Sequence, residues 1–132
     1  MPEDGLVSVA SKYSVKDTLE RLEADLKAKG ITVFARVDHA AGAASVAMPL
    51  RPTEVLVFGN PKAGTPLMQA NQTIGIDLPL KILGWQDADG QVWLTYNDVG
   101  WLAKRHHLGA STDANVNALA ALLANLTKAA AG

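Results

Sequence analysis

The sequence predicts an α+β fold, a two-layer sandwich in which one mixed β-sheet packs against helices. Three observations predict it. Apolar residues alternate with period two in some stretches and recur every three or four positions in others. These stretches run strand, helix, strand, strand, helix, hairpin, helices, an order that implies one sheet packed against helices. Finally, 132 residues without a Gly-, Pro- or charge-rich linker fit one domain, residues 1–132, and 48% hydrophobic against 19% charged residues supplies a core.

The opening LVSVASKY alternates as a strand does. The spacing then changes to that of a helix, with Val15, Leu19, Leu22 and Leu26 on one face. Ser14 and Asp17 form the weaker kind of capping box at its start, and Lys27, Lys29 and Gly30 suit its end. ITVFARVD places Ile31, Val33, Ala35 and Val37 on one face of a half-buried strand. HAAGAASVAM is a short helix or an ordered loop, because Gly42 and Pro49 interrupt its alanines. TEVLVF is a continuous apolar run, the pattern of a central strand covered on both faces.

LPLKILGWQDADGQVWLTYND predicts a hairpin with a two-residue type I′ turn at Asp89-Gly90. That turn sets Trp85 opposite Leu94 and Leu83 opposite Tyr96 on the core face, leaving Ile82, Gly84 and Trp93 on the other. A short helix ending near Gly109 follows. A longer one then begins at Ser111 or Thr112, with a stripe of Val116, Leu119, Leu122, Leu123 and Leu126.

Composition narrows the function. A net charge of −1 gives no field to gather a nucleic-acid backbone. The absence of cysteine excludes disulfides, thiolate nucleophiles and cysteine metal sites. Residues 114–127 are the longest uncharged helical tract, too short to span a membrane and interrupted by three Asn. MPEDGLVSV has neither the basic nor the apolar region of a signal peptide, so the expectation is a soluble, cytoplasmic protein, with a mature periplasmic protein whose leader has been removed as the alternative.

One loop invites a chemical reading. In FGNPKAGTPLM, Gly59 and Gly64 follow a strand at phosphate-loop spacing, but Thr65 stands where the nucleotide-binding lysine belongs. Nucleotide hydrolysis is set aside. The alternative has Gly64 turning the chain, Thr65 capping a helix and Pro66 opening it, with amide hydrogens and Lys62 left to hold a small anion. Asn60, Lys62, Gly64 and Thr65 are therefore the expected ligand-binding residues.

His39, beside Asp38 at a strand end, is the expected general base if the protein catalyses a reaction. His106 and His107 are adjacent and diverge on a helix, so they suit a helix C-terminus better than a metal. DADG lacks the glutamate of a calcium loop and is read as a turn. No metal site and no cofactor is expected.

Four stretches taken together, ITVFARVDHA, LRPTEVLVFGNPKAGTPLMQAN, IDLPLKILGWQDADGQVWLTYND and LAKRHH, resemble the bacterial and archaeal family termed domain of unknown function 302. The likeness runs from about Leu6 to Leu108. It implies a compact α+β domain that pairs as a homodimer, and it brings no established reaction. The family's motif positions match Asp38, His39, Gly59, Asn60, Pro61, Gly64, Thr65, Pro66, Met68, Leu78 and Pro79. The first functional expectation is a homodimeric sensory domain that binds a small anion or metabolite between the Gly59–Thr65 loop and His39. The second is an enzyme with His39 as base and the loop as oxyanion site. The third is an interaction module that uses the sheet face of Trp93.

Overall fold

A computed structural model describes residues 3–132; Met1 and Pro2, the first residues of the segment read for a signal peptide, lie outside them. Five strands, β1 (Leu6–Ser11), β2 (Thr32–Asp38), β3 (Thr53–Gly59), β4 (Leu80–Gln86) and β5 (Val92–Asn97), form one sheet in the order β1-β5-β4-β3-β2. Helices α1 (Val15–Ala28), α2 (His39–Ser45), α3 (Pro61–Ala70), α4 (Val99–Arg105) and α5 (Asp113–Ala131) complete the α+β sandwich.

Every strand pairing is antiparallel, so the sheet expected to be mixed is antiparallel throughout. The reason lies in the first crossover. β1 and β2 run in the same direction, but α1 carries the chain across the whole sheet to the far edge, and three strands fill the gap.

α1 forms where its spacing predicts. Ser14 Oγ accepts from the Asp17 amide, and Gly30 takes φ 71 just past the end. Val15, Leu19, Leu22 and Leu26 are buried, each contributing roughly 1.5–3 kcal/mol. β4 lets this helix approach closely: a Cβ at Gly84 would meet Leu19 at 3.2 Å and Val15 at 3.3 Å. α5 lies beside α1, with Val116, Leu119, Leu123 and Leu126 buried.

Three local expectations change. The hairpin closes through Ala88, Asp89 and Gly90 (φ 87), with Asp87 and Gln91 paired behind them, and this three-residue loop shifts the register by one. Such a shift exchanges the faces. The exchange falls on β4 alone: Leu80 and Ile82 enter the core beside Val92, Leu94 and Tyr96, which keep their expected face, while Trp85 leaves it and pairs with Trp93 on the opposite face, ring centroids 6.5 Å apart.

In β2 an irregularity between Val33 and Ala35 breaks the expected alternation, leaving Phe34, Ala35 and Val37 exposed. β3 is covered on one face only, with Leu56 and Phe58 buried and their neighbours half-buried. The apolar run of β3 resembles that of a doubly covered strand because its open face keeps Val55 and Val57.

Candidate functional site

The FGNPKAGTPLM segment does turn strand into helix, but one turn earlier than expected. Pro61, not Pro66, occupies the first helical position, and Asn60 is the cap. Pro66 sits inside α3, and Gly64 and Thr65 are helical residues rather than a corner.

This shift decides the fate of the amide hydrogens. Pro61 has none. Asn60 Oδ1 accepts from the Lys62 amide at 3.0 Å, and Asn60 O accepts from the amides of Ala63 at 2.9 Å and Gly64 at 3.1 Å. The groups proposed to meet an anion are thus occupied by one asparagine. Lys62 is exposed and does not line the pocket formed here.

That pocket, of about 350 Å³, lies between the start of α3, the end of β3 and the segment leading into β4. Its walls are mainly apolar, built by Phe34, Pro61, Met68, Leu78, Pro79 and Leu119. Glycines keep it open. A Cβ at Gly64 would stand 3.6 Å from Leu78 and 3.9 Å from Met68, ordinary contact distances, so a methyl there would occupy free space. No lining residue is titratable. The polar contributors are Asn60 and Thr65; among the described residues neither Asn60 Nδ2 nor Thr65 Oγ1 has a side-chain or backbone partner.

Of the expected ligand residues, Asn60, Gly64 and Thr65 meet at this pocket and Lys62 does not. Asp38 and His39 are elsewhere. The antiparallel register sets Thr32 beside Gly59 and Asp38 beside Glu54, five residues along β3, or about 17 Å at strand rise. The Asp38 carboxylate caps α2 by accepting from the Ala41 amide at 2.9 Å, and His39 is exposed. The arrangement of His39 as base with this loop as oxyanion site is not formed, because the sequence gives the end of each strand but not the pairing that separates them.

A second polar cluster was hidden from sequence reasoning. His106, at the end of α4 as expected, is buried, only 6% exposed. Its Nε2 lies 2.5 Å from Asp77 Oδ2, and its Nδ1 lies 2.9 Å from Thr73 Oγ1. Arg105 donates to both Asp77 oxygens at 3.1 Å, and Asn71 Nδ2 donates to the His106 carbonyl at 2.6 Å. The linkage of Thr73, His106 and Asp77 has the partners of a nucleophile relay, but the Thr73 hydroxyl also donates to Asn71 Oδ1 at 3.0 Å, and none of the three residues lines the pocket. It serves as a staple. It fixes the segment 71–79, whose Gly75, Leu78 and Pro79 form one wall of the pocket. No local motif links residues 29 positions apart, so only the folded chain reveals it.

Groups with shifted titration lie away from both places. The Trp93 indole N–H holds the Asp87 carboxyl below the usual carboxylate range, and burial raises the Tyr96 hydroxyl. Among the described residues no group of three or more metal-ligating side chains comes together, and no helix is long and apolar enough to cross a membrane.

Three Brucella proteins named fluoride-specific ion channels are each 51% identical to this chain over 130 residues. The match covers 98% of this chain but 51% of the Brucella suis protein and 48% of the Brucella abortus protein, so the chain spans about half the length of these relatives. A crystal structure of an uncharacterized conserved protein from Bacillus stearothermophilus superposes with a TM-score of 0.73, over 96% of this chain and 95% of that one, at 20% identity. The same fold is therefore present there. A family model matches residues 7–126, and the chain belongs to the family described as domain of unknown function DUF302.

Proposed function

We propose that the chain is a small-ligand-binding, sensory domain that acts as a cytoplasmic homodimer. The observation that carries this reading is the pocket of about 350 Å³ beside α3, within the size range of natural small-molecule sites. Its openness has a cost. Gly64 is helical, where glycine is less favourable than alanine by roughly 0.5–1 kcal/mol, yet a methyl would fit. The anion reading is not retained, since Asn60 already holds the amides it needs.

The Brucella relatives support a place for such a domain. Their name refers to proteins about twice as long, and a conducting path must cross the bilayer. No described helix here has the length and apolarity for that, so we assign conduction in those relatives to the other half and a sensory role to the half resembling this chain. A thermal-shift screen of small metabolites tests the reading. A compound that raises the melting temperature of the wild type but not of Gly64→Leu supports it, and a broad screen with no such compound contradicts it.

The Trp85 and Trp93 pair favours a second reading, an interaction module. The two half-exposed rings stand with Leu83 on the sheet face opposite α1, a suitable centre for a contact surface. The same face is our proposed dimer surface. Light scattering is expected to give a dimer that Trp85→Ser or Trp93→Ser shifts to monomer; a monomeric wild type would contradict the pairing.

A further inference from the structure

We infer that the pocket accepts an uncharged aromatic molecule of one or two rings, with an oxygen substituent held at the rim by Asn60 and Thr65. This rests on reading the pocket as a ligand site and adds the chemistry of the ligand. The first argument is electrostatic. No charged side chain lines the cavity, and the amides of Lys62, Ala63 and Gly64 all donate to Asn60. A carboxylate, phosphate or fluoride ion would lose water there and find no compensating charge.

The second argument is shape. The cavity is roughly twice the ~150 Å³ apolar void that takes benzene in another protein, which suits a fused pair of rings. Phe34, 53% exposed, lines the pocket with an aromatic ring, and Pro61 and Pro79 add rigid apolar rings. Met68 brings a thioether, which makes favourable contacts with aromatic edges.

The third is the polar rim. Asn60 Oδ1 is committed to the Lys62 amide, leaving Nδ2 to donate, and the Thr65 hydroxyl can donate or accept. A hydroxyl, ether or carbonyl oxygen on the ring system matches these two groups. A second depression, beside Arg21, Asp25 and Lys29, makes no comparable offer. Its Arg21 donates to the carbonyls of Ala129 and Ala130, and Lys29 pairs with Asp25.

The test is a titration of the full chain followed by amide NMR, with 2-naphthol, 2-naphthoate and sodium fluoride as probes. We expect 2-naphthol to shift the amides of Gly59, Gly64 and Gly75, and 2-naphthoate to bind at least about tenfold more weakly because its charge would be buried. Fluoride should leave those amides in place. Gly64→Leu should abolish the 2-naphthol shifts, and Gly64→Ala, a change that favours the helix, should weaken binding in a protein that stays folded. Equal or stronger shifts from 2-naphthoate or fluoride at these amides would overturn the ligand class and leave the ligand-site reading standing. Silence from all three probes would overturn both. Binding of 2-naphthol unchanged in both Gly64 variants would place it elsewhere and overturn the inference.

Discussion

The two ends of the helix-covered sheet face treat the same residue type in opposite ways. Under α1, Gly84 is closed over by Leu19 and Val15 at 3.2–3.3 Å, so the missing side chain brings a helix nearer to its sheet. In α3 itself, Gly64 faces Leu78 and Met68 at 3.6–3.9 Å, and the missing side chain leaves a cavity. One glycine serves packing and the other serves vacancy. The contrast teaches that a pocket can be recognised by space that the fold could fill without strain and does not. The open end also needs support that packing does not give, and the Asp77–His106 staple supplies it from behind the pocket wall.

Cutting that staple should have the largest effect. Asp77→Ala leaves the buried His106 Nε2 without its hydrogen-bond partner and removes both Arg105 contacts, a loss of about 3 kcal/mol at the upper end of the usual cost of a buried polar group left unpaired. Urea unfolding measures it. A loss below about 1 kcal/mol would mean that the open end is held by packing, and the contrast with α1 would weaken.

The two glycines should then answer alanine with opposite signs. Gly84→Ala overpacks the α1 contact and should cost about 2 kcal/mol. Gly64→Ala should stabilise by roughly 0.5–1 kcal/mol, because the helix gains and the methyl meets only ordinary contacts. Paired denaturation curves sharpen the comparison; destabilisation by both would show that the α3 end is as full as the α1 end.

The smallest effect belongs to the opposite sheet face. Asp87 has its carboxyl lowered chiefly by the Trp93 N–H at 3.0 Å, so its contribution is present above the unfolded-state value and is lost as pH falls through the folded one. In Trp93→Phe the NMR titration of Asp87 should move up toward the ordinary carboxylate range. An unmoved titration would assign the shift to the turn amides of Asp89 and Gln91.

Much of the layer structure was legible in the chain. Ser14, the leucine spacing of α1 and Gly30 specify that helix by local rules alone, and they hold. The face of the hairpin was not legible, because Asp89-Gly90 is compatible with a two-residue and a three-residue loop, and one residue exchanges Trp85 with Gly84. Asn60, Gly64 and Thr65, singled out from the sequence, do line the pocket, but the wall of Gly75, Leu78 and Pro79 was not foreseen as part of it, and the donors expected for an anion are engaged. Asn60 precedes a proline that can begin the helix, so the cap consumed the donors assigned to a ligand. His39 and Gly59 looked like neighbours only while strand direction was unknown. His106 and Asp77 meet through tertiary packing and leave no local pattern to read.

The most direct test of the vacancy beside Gly64 is xenon binding followed by NMR, since dry apolar cavities take up xenon. The account predicts xenon-induced shifts at Gly64, Met68 and Leu78 in the wild type that disappear in Gly64→Leu. Absence of those shifts in the wild type, or the same shifts in both proteins, would contradict it.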